Sequence, residues 1–216
     1  MQAADQDSTP VPEAGAYTDI IYVLRGSNVM PDYAAPLWQA LRTSLPWLAE
    51  EPGVAIHPFA RVSPGQGTLF VGRHTRLILR LPQRRVEQAF ELCGKTLEIG
   101  ASVKIEIGAA SLRPLRPAAV QHSPIVTLGS ATETDFLVVA ERLLKEMGIE
   151  CHMVCGKVQT VMGGENEGML RGHSLMLHGL TREGSLRIQH AGLGEGRKLG
   201  CGIFVPHKAV AAVGAD

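Results

Sequence analysis

Histidine is the side chain best suited to moving protons near neutrality, because its unperturbed pKa is about 6.5. Eight histidines are spread along this chain. His57 follows an apolar stretch of helical spacing and is held in place by the Pro58 behind it. Tyr33 stands near the expected start of that helix, where a phenol can orient a nucleophile or give up a proton. His74 falls in the turn Gly72-Arg73-His74 and suits a phosphate or solvent, and His207 follows the last expected strand. His173 shares strand parity with Leu175 and Leu177 and reads as a core or interface histidine.

A second feature lies at residues 192–204, where two Gly-apolar-Gly triplets are separated by five residues. Glycines so closely spaced let the backbone take positive φ and come close to a bulky ligand. Gly192, Gly194, Gly196, Gly200 and Gly202 could then turn amide N–H groups toward phosphate oxygens, with Arg197 and Lys198 adding charge. Neither the Walker lysine pattern nor a dinucleotide-fold context surrounds the loop. Cys151-His152-Met153-Val154-Cys155 has the look of a metal loop, but no second ligand pair follows at zinc-finger spacing. In an alternating strand, 151, 153 and 155 share one face, which reads as core. No metal site and no cofactor are expected.

Charge adds a location for these groups. Lys+Arg and Asp+Glu balance at 21 each, so bulk charge selects no partner. Its distribution is uneven. Between Glu51 and Glu87 there is no acid, yet Arg73, Arg76, Arg80, Arg84 and Arg85 fall there beside His57 and His74. Another acid-free stretch, 109–132, carries Arg113 and Arg116, and Arg197, Lys198 and Lys208 crowd the C-terminal end. Basic surfaces on a neutral protein suit a clamp for RNA.

The elements that must position these residues follow from periodicity. Residues 20–24 form an apolar run that reads as a strand. Leu37, Trp38, Leu41, Leu45 and Leu48 recur at helical spacing, with Pro46 kinking or tightening the last turn. A strand is expected over 54–62, another over 75–81, a short helix over 83–92, and one or two strands over 96–107. The order then repeats: strand 125–128, helix from the Thr132 cap to Gly148, strands 151–161 and 173–180, helix 181–190, and a final strand at 200–205. The fold class is therefore α+β, with tandem ferredoxin-like βαββαβ domains at 19–111 and 125–208. Residues 112–124, with Pro114, Pro117 and Pro124, suit a linker, and 1–18 and 209–216 read as tails. The polar, acidic N-terminus lacks a targeting pattern, and no apolar run spans a bilayer, so a soluble cytoplasmic protein is expected. RNA-recognition modules share the fold, but their aromatic stacking strand is absent and aromatics are only 5%.

A glycine-rich loop between the last helix and last strand of a second βαββαβ unit resembles the RAMP superfamily of CRISPR-associated proteins. The run Gly202-Ile203-Phe204-Val205-Pro206-His207-Lys208 is similar to the repeat-processing endoribonucleases, the sixth Cas family. The segments at 53–58 and 171–180 are similar to its compact type I branch. Within that branch the first helix opens with Asp-His, whereas this chain has Asp32-Tyr33.

The resemblance implies a sequence- and hairpin-selective cut of CRISPR repeat RNA without metal, by attack of the ribose 2′-OH on the adjacent phosphate. A guide RNA that stays bound and other Cas subunits of a type I surveillance complex are the implied partners, with no membrane. His57 and Tyr33 become the catalytic candidates. Arg73, His74, Arg76, Arg80, Arg84, Arg85, the five loop glycines, Arg197, Lys198, His207 and Lys208 become the RNA contacts. A non-catalytic RNA-holding subunit of the same superfamily, and a ligand-binding or scaffold protein of the same fold, are the alternatives.

Overall fold

Alternation explains the central strand of the first half, β1 (Tyr17–Gly26): Ile20, Tyr22 and Leu24 are buried on one side, against helices. The computed structural model describes residues 17–26, 28–60, 63–64, 67–100, 103–130, 132–163 and 168–207. After β1 come α1 (Ala34–Ser44), α2 (Trp47–Glu50), β2 (Ala55–Ile56), a small hairpin of β3 (Ser63–Pro64) and β4 (Leu69–Phe70), and β5 (Arg76–Pro82). A 3-10 turn (Gln83–Arg85) leads into α3 (Val86–Phe90), then β6 (Thr96–Ile99) and β7 (Val103–Pro114). The second half contains β8 (Val120–Val126), α4 (Glu133–Glu146), β9 (His152–Met162), β10 (Met169–His178), α5 (Arg182–Ala191), a 3-10 turn (Arg197–Leu199) and β11 (Val205–Pro206).

The two sheets run β2-β5-β1-β7-β6 and β11-β8-β10-β9, and every pairing in them is antiparallel. Taking the four strands of each βαββαβ unit in turn, both sheets follow the order 4-1-3-2, with β6 added at the edge of the first. The chain is thus an α+β protein with a duplicated βαββαβ unit. Each unit has its own core. Leu37, Leu41 and Leu48 pack on Ile20, Leu77 and Leu79 in the first; Phe136, Ala140 and Leu144 pack on Leu175, Leu177 and Phe204 in the second.

Caps and breakers act as their chemistry requires. Thr132 Oγ1 accepts from the Asp135 amide at the start of α4, and Thr181 Oγ1 accepts from the Gly184 amide at the start of α5. Pro46, lacking an N–H, separates α1 from α2.

Three elements depart from expectation. Within 54–60 the strand expected over 54–62 is only Ala55–Ile56, because Pro58 cannot donate to a ladder; past it a lone bridge joins Ala60 to Arg76, and 61–62 lie outside the described residues. The helix over 83–92 opens as a 3-10 turn and keeps α form for five residues. The last strand is only Val205–Pro206, since Gly200 and Gly202 have positive φ and cannot extend. The strands β7 and β8 also run into the proline-rich stretch, leaving 115–119 between them. Cys151, Met153 and Cys155 lie half-buried against the second core. Among the described residues no group of three or more His, Cys, Asp or Glu side chains could hold a metal ion.

Candidate nucleic-acid and catalytic site

The glycine-rich loop is the place where the second half rests on the first. Gly200, at φ 92°, has no Cβ, and one built there would stand 3.1 Å from Pro58 Cγ. A Cβ on Gly202, at φ 64°, would overlap the Leu193 carbonyl oxygen. The loop amides are turned inward as well. Gly192 N donates to Ile188 O, Gly200 N to Arg197 O, and Gly202 N to Ile125 O at 2.8 Å. Glu195 N donates to Thr127 O. The amides expected to face phosphate at 192, 200 and 202 are therefore used within the chain. Gly194 and Gly196 are less enclosed. Gly200 serves close packing between the halves, while Gly192, Gly194 and Gly202 serve close packing within the second half.

Arg197 is drawn into the same joint. Its Nη2 donates to Gly53 O at 3.4 Å, and its Nε and Nη1 are enclosed with no partner among the described residues. Lys198 also reaches the first half. Its Nζ donates to Ala49 O at 3.0 Å and lies 5.0 Å from the centre of the Trp38 ring.

Below this loop, β2 delivers His57. Its amide still donates to Ile78 O at 2.9 Å, which fixes the backbone before Pro58 turns away. The imidazole side chain is 8% exposed and lies between two cavities, lining both. The smaller, about 280 Å³, also contains Asp32, Tyr33 and Lys198 in its walls. Met162 and Met169 from the β9–β10 hairpin overhang it. The larger, about 760 Å³, lies between the halves and is lined by Asp19, Arg80, Arg113 and Arg116, with Gln189 and Val205 opposite.

Tyr33 is not free to swing. Its Oη accepts the Phe59 amide at 2.7 Å, and its ring stacks on Phe59 with centroids 4.4 Å apart. Burial raises the phenol pKa, so the hydroxyl keeps its proton. Tyr33 thereby fastens the chain two residues beyond His57.

Arg80 is placed differently from the expectation of an RNA contact. It is 1% exposed, and each of its three nitrogens donates inside the protein. Nε and Nη2 meet Asp19 Oδ1 and Oδ2 at 2.8 and 3.3 Å, while Nη1 donates to Gln189 O and Phe204 O. Asp19 stands in register with both Arg80 on β5 and Arg113 on β7, and Arg113 Nη2 reaches its Oδ2 at 2.8 Å. The Asp19 Oδ1 atom also lies 3.7 Å from His57 Nε2. Burial would raise the Asp19 pKa, but His57 and Arg80 outweigh it and hold the carboxyl far below the usual range. Burial pushes the His57 pKa down, Asp19 opposes this, and Arg80 and Arg113 add to the fall. The ring is neutral at pH 7.

The remaining basic residues divide along β5. Arg73 and His74 precede it and Arg76 opens it: Arg73 Nε donates to His74 Nε2, and Arg76 Nη1 to Arg73 O. Arg84 and Arg85 follow it, and both meet the buried Glu51 carboxylate, Arg84 at 2.8 Å and Arg85 at 3.2 Å. Arg85 also lies over Trp47. His207 is exposed, with its ring 5.4 Å from that of His122. His173 is buried against Phe136, as its parity implied. Lys208 lies outside the described residues.

Periodicity did not single out Asp19 or Glu51. The available signal for Asp19 was a lone acid in an apolar strand whose neighbours carry Arg80 and Arg113. Register, invisible in one strand, makes it a hub.

Comparison with known proteins agrees with this architecture. A family model described as Cas6 Crispr matches residues 18–209. A relative from Myxococcus xanthus (strain DK1622), named CRISPR-associated endonuclease Cas6, is 33% identical over 199 residues, covering 91% of this chain and 84% of that protein. A solved structure titled CRISPR associated protein Cas6 superposes with a TM-score of 0.68 at 11% identity, over 89% of this chain and 100% of the other. A Cas6-related protein from Pyrococcus furiosus gives a TM-score of 0.58 at 13% identity, over 89% and 99%. At those identities the two solved structures speak for the fold alone.

Proposed function

The chain belongs to the Cas6 family of CRISPR proteins, and on that footing we propose that it is an endoribonuclease that cuts CRISPR repeat RNA within a hairpin-selective, sequence-selective complex. Its two βαββαβ units act as ferredoxin-like domains, with the linker expected over 112–124 narrowed to 115–119 between β7 and β8. The reaction needs no metal: the ribose 2′-OH attacks the adjacent phosphorus in line. The 5′-oxygen leaves and takes up a proton from water, giving a 2′,3′-cyclic phosphate and a 5′-hydroxyl. The cut guide RNA stays on the protein, which works in the cytoplasm with other Cas subunits of a type I complex. No helix among the described residues is long and apolar enough to cross a membrane.

The observation that carries this reading is the single cavity shared by His57, Tyr33 and Lys198. A neutral imidazole takes the 2′-OH proton, and the ammonium of Lys198 offsets charge that grows on the phosphate oxygens. Tyr33, its hydroxyl protonated and anchored on the Phe59 amide, sets the wall against which the ribose rests. Phosphates beyond the cut meet the exposed Arg73, His74 and His207 and, outside the described residues, Lys208.

Incubating the purified protein with end-labelled repeat RNA in EDTA tests the reading. A fragment ending in a cyclic phosphate is expected. Tight binding without any cut supports instead a subunit that only holds RNA.

A further inference from the structure

A histidine that moves a proton needs one nitrogen protonated and the other free, so something must select its tautomer. Around His57 the charged groups come from every neighbouring element. Asp19 faces it from β1, Arg80 from β5 and Arg113 from β7. Asp32 and Lys198 share one cavity with it, and Arg116 the other. Of these, Asp19 brings a carboxylate oxygen within 3.7 Å of Nε2.

Two structural facts and one general tendency bear on that pairing. His57 Nε2 is enclosed and has no hydrogen-bond partner closer than 3.5 Å among the described residues. An enclosed N–H without a partner is costly, so the ring has reason to turn toward the nearest acceptor. Meanwhile the Asp19 carboxylate cannot turn, because Arg80 grips both of its oxygens and Arg113 grips Oδ2. Hydrogen bonds among catalytic groups are often long in the unbound protein and tighten when substrate arrives.

We propose that Asp19 is a positioning residue: its clamped carboxylate holds His57 as the Nε2–H tautomer and leaves Nδ1 as the nitrogen that accepts a proton. The inference rests on the reading of His57 as the proton-transfer group. Arg80 ties the arrangement to the second half through Gln189 O and Phe204 O, so docking of the halves and orientation of the imidazole are coupled.

The test is NMR of the full-length protein with labelled histidine, on wild type and Asp19→Asn. Asparagine keeps the shape and an accepting oxygen but loses the charge. Wild-type His57 should show a protonated Nε2 and a bare Nδ1. In D19N the ring should become a mixture of tautomers and titrate at lower pH, since a negative charge that favoured imidazolium is gone. Single-turnover cleavage by D19N should fall, by no more than the roughly 10²- to 10⁴-fold that loss of a whole proton-transfer group gives. RNA affinity should hold, and the pH limb should move down.

A protonated Nδ1 in wild type overturns the proposal, and that measurement stands even if D19N folds poorly. An unchanged tautomer, titration and rate in D19N overturns it too. Because the tautomer is read without RNA, a failed hold shows there. A failed catalytic reading shows separately, as His57→Ala cutting at the wild-type rate.

Discussion

Arg80 Nη1 lies 2.8 Å from the carbonyl oxygen of Phe204, 124 residues further along the chain. One buried guanidinium thus joins the central sheet of the first half to the last segment of the second, while its other nitrogens neutralise Asp19. The joint is made where the candidate catalytic imidazole sits.

Removing that cation should be expensive. Breaking a buried charge pair from one side costs about 3–5 kcal/mol, because the partner is left uncompensated. Arg113 still holds Asp19, so Arg80→Ala is expected near the lower end. The Arg84 side chain, 68% exposed against Glu51, should cost about 1 kcal/mol or less when replaced by alanine. Denaturant midpoints of the two variants measure the contrast, and equal midpoints would remove Arg80 as the keystone.

The loop glycines make a second contrast. Gly129, at φ 67° with nothing near its missing Cβ, should lose about 1–2 kcal/mol on conversion to alanine, the ordinary cost of a left-handed L-residue. Gly202→Ala should lose clearly more, since its Cβ would overlap the Leu193 carbonyl. Thermal melting of both variants distinguishes packing from backbone preference.

Acid should weaken the fold in two stages. His57 and Asp19 both have pKa values below their ordinary ones. For a lowered pKa, the unfolded chain binds the proton first, so stability is full above the unfolded value and falls as pH drops toward the folded one. The histidine share is therefore lost from about pH 6.5 downward, and the aspartate share from about pH 3.9 downward. Urea midpoints at pH 7, 5 and 3 should decline in that order. His57→Gln should flatten the first step but not erase it, because burial also lowers the pKa of His122 and His190.

Much of the fold was legible because periodicity reports local geometry. The leucine spacing of α1, the Thr132 and Thr181 caps and the doubled strand-helix order all depend on neighbours in sequence. His57 as a candidate came from the resemblance, which implies a catalytic imidazole after the first helix, and from the proline behind it. What was not legible depends on register and on the meeting of the halves. Arg80 alternates with apolar residues in β5 just as a solvent-facing arginine would, and only the arrival of Gln189 and Phe204 makes it internal. The glycines at 192, 200 and 202 carry the pattern of a phosphate loop, yet contacts from Pro58, Leu193 and Ile125 use that backbone for packing.

Salt dependence should separate surface cations from buried ones. Each phosphate contact contributes about 0.7–0.9 to the slope of log K against log salt. Arg73→Ala should flatten the slope by roughly that amount. Arg197→Ala, by contrast, should show first as lost stability, given its enclosed nitrogens and its bond to Gly53. Titrations at several salt concentrations, with a scrambled RNA as control, read both effects; equal affinity for the two RNAs would reject selectivity.

The central claim is that His57 moves the proton in a metal-free cut. Single-turnover cleavage of repeat RNA in EDTA, by wild type and His57→Ala, measures it directly when paired with gel-shift affinities on the same RNA. Wild type should cut, and H57A should be slower by about 10²- to 10⁴-fold with affinity nearly unchanged. Cutting by H57A at the wild-type rate, or a wild type that needs added metal, would contradict it.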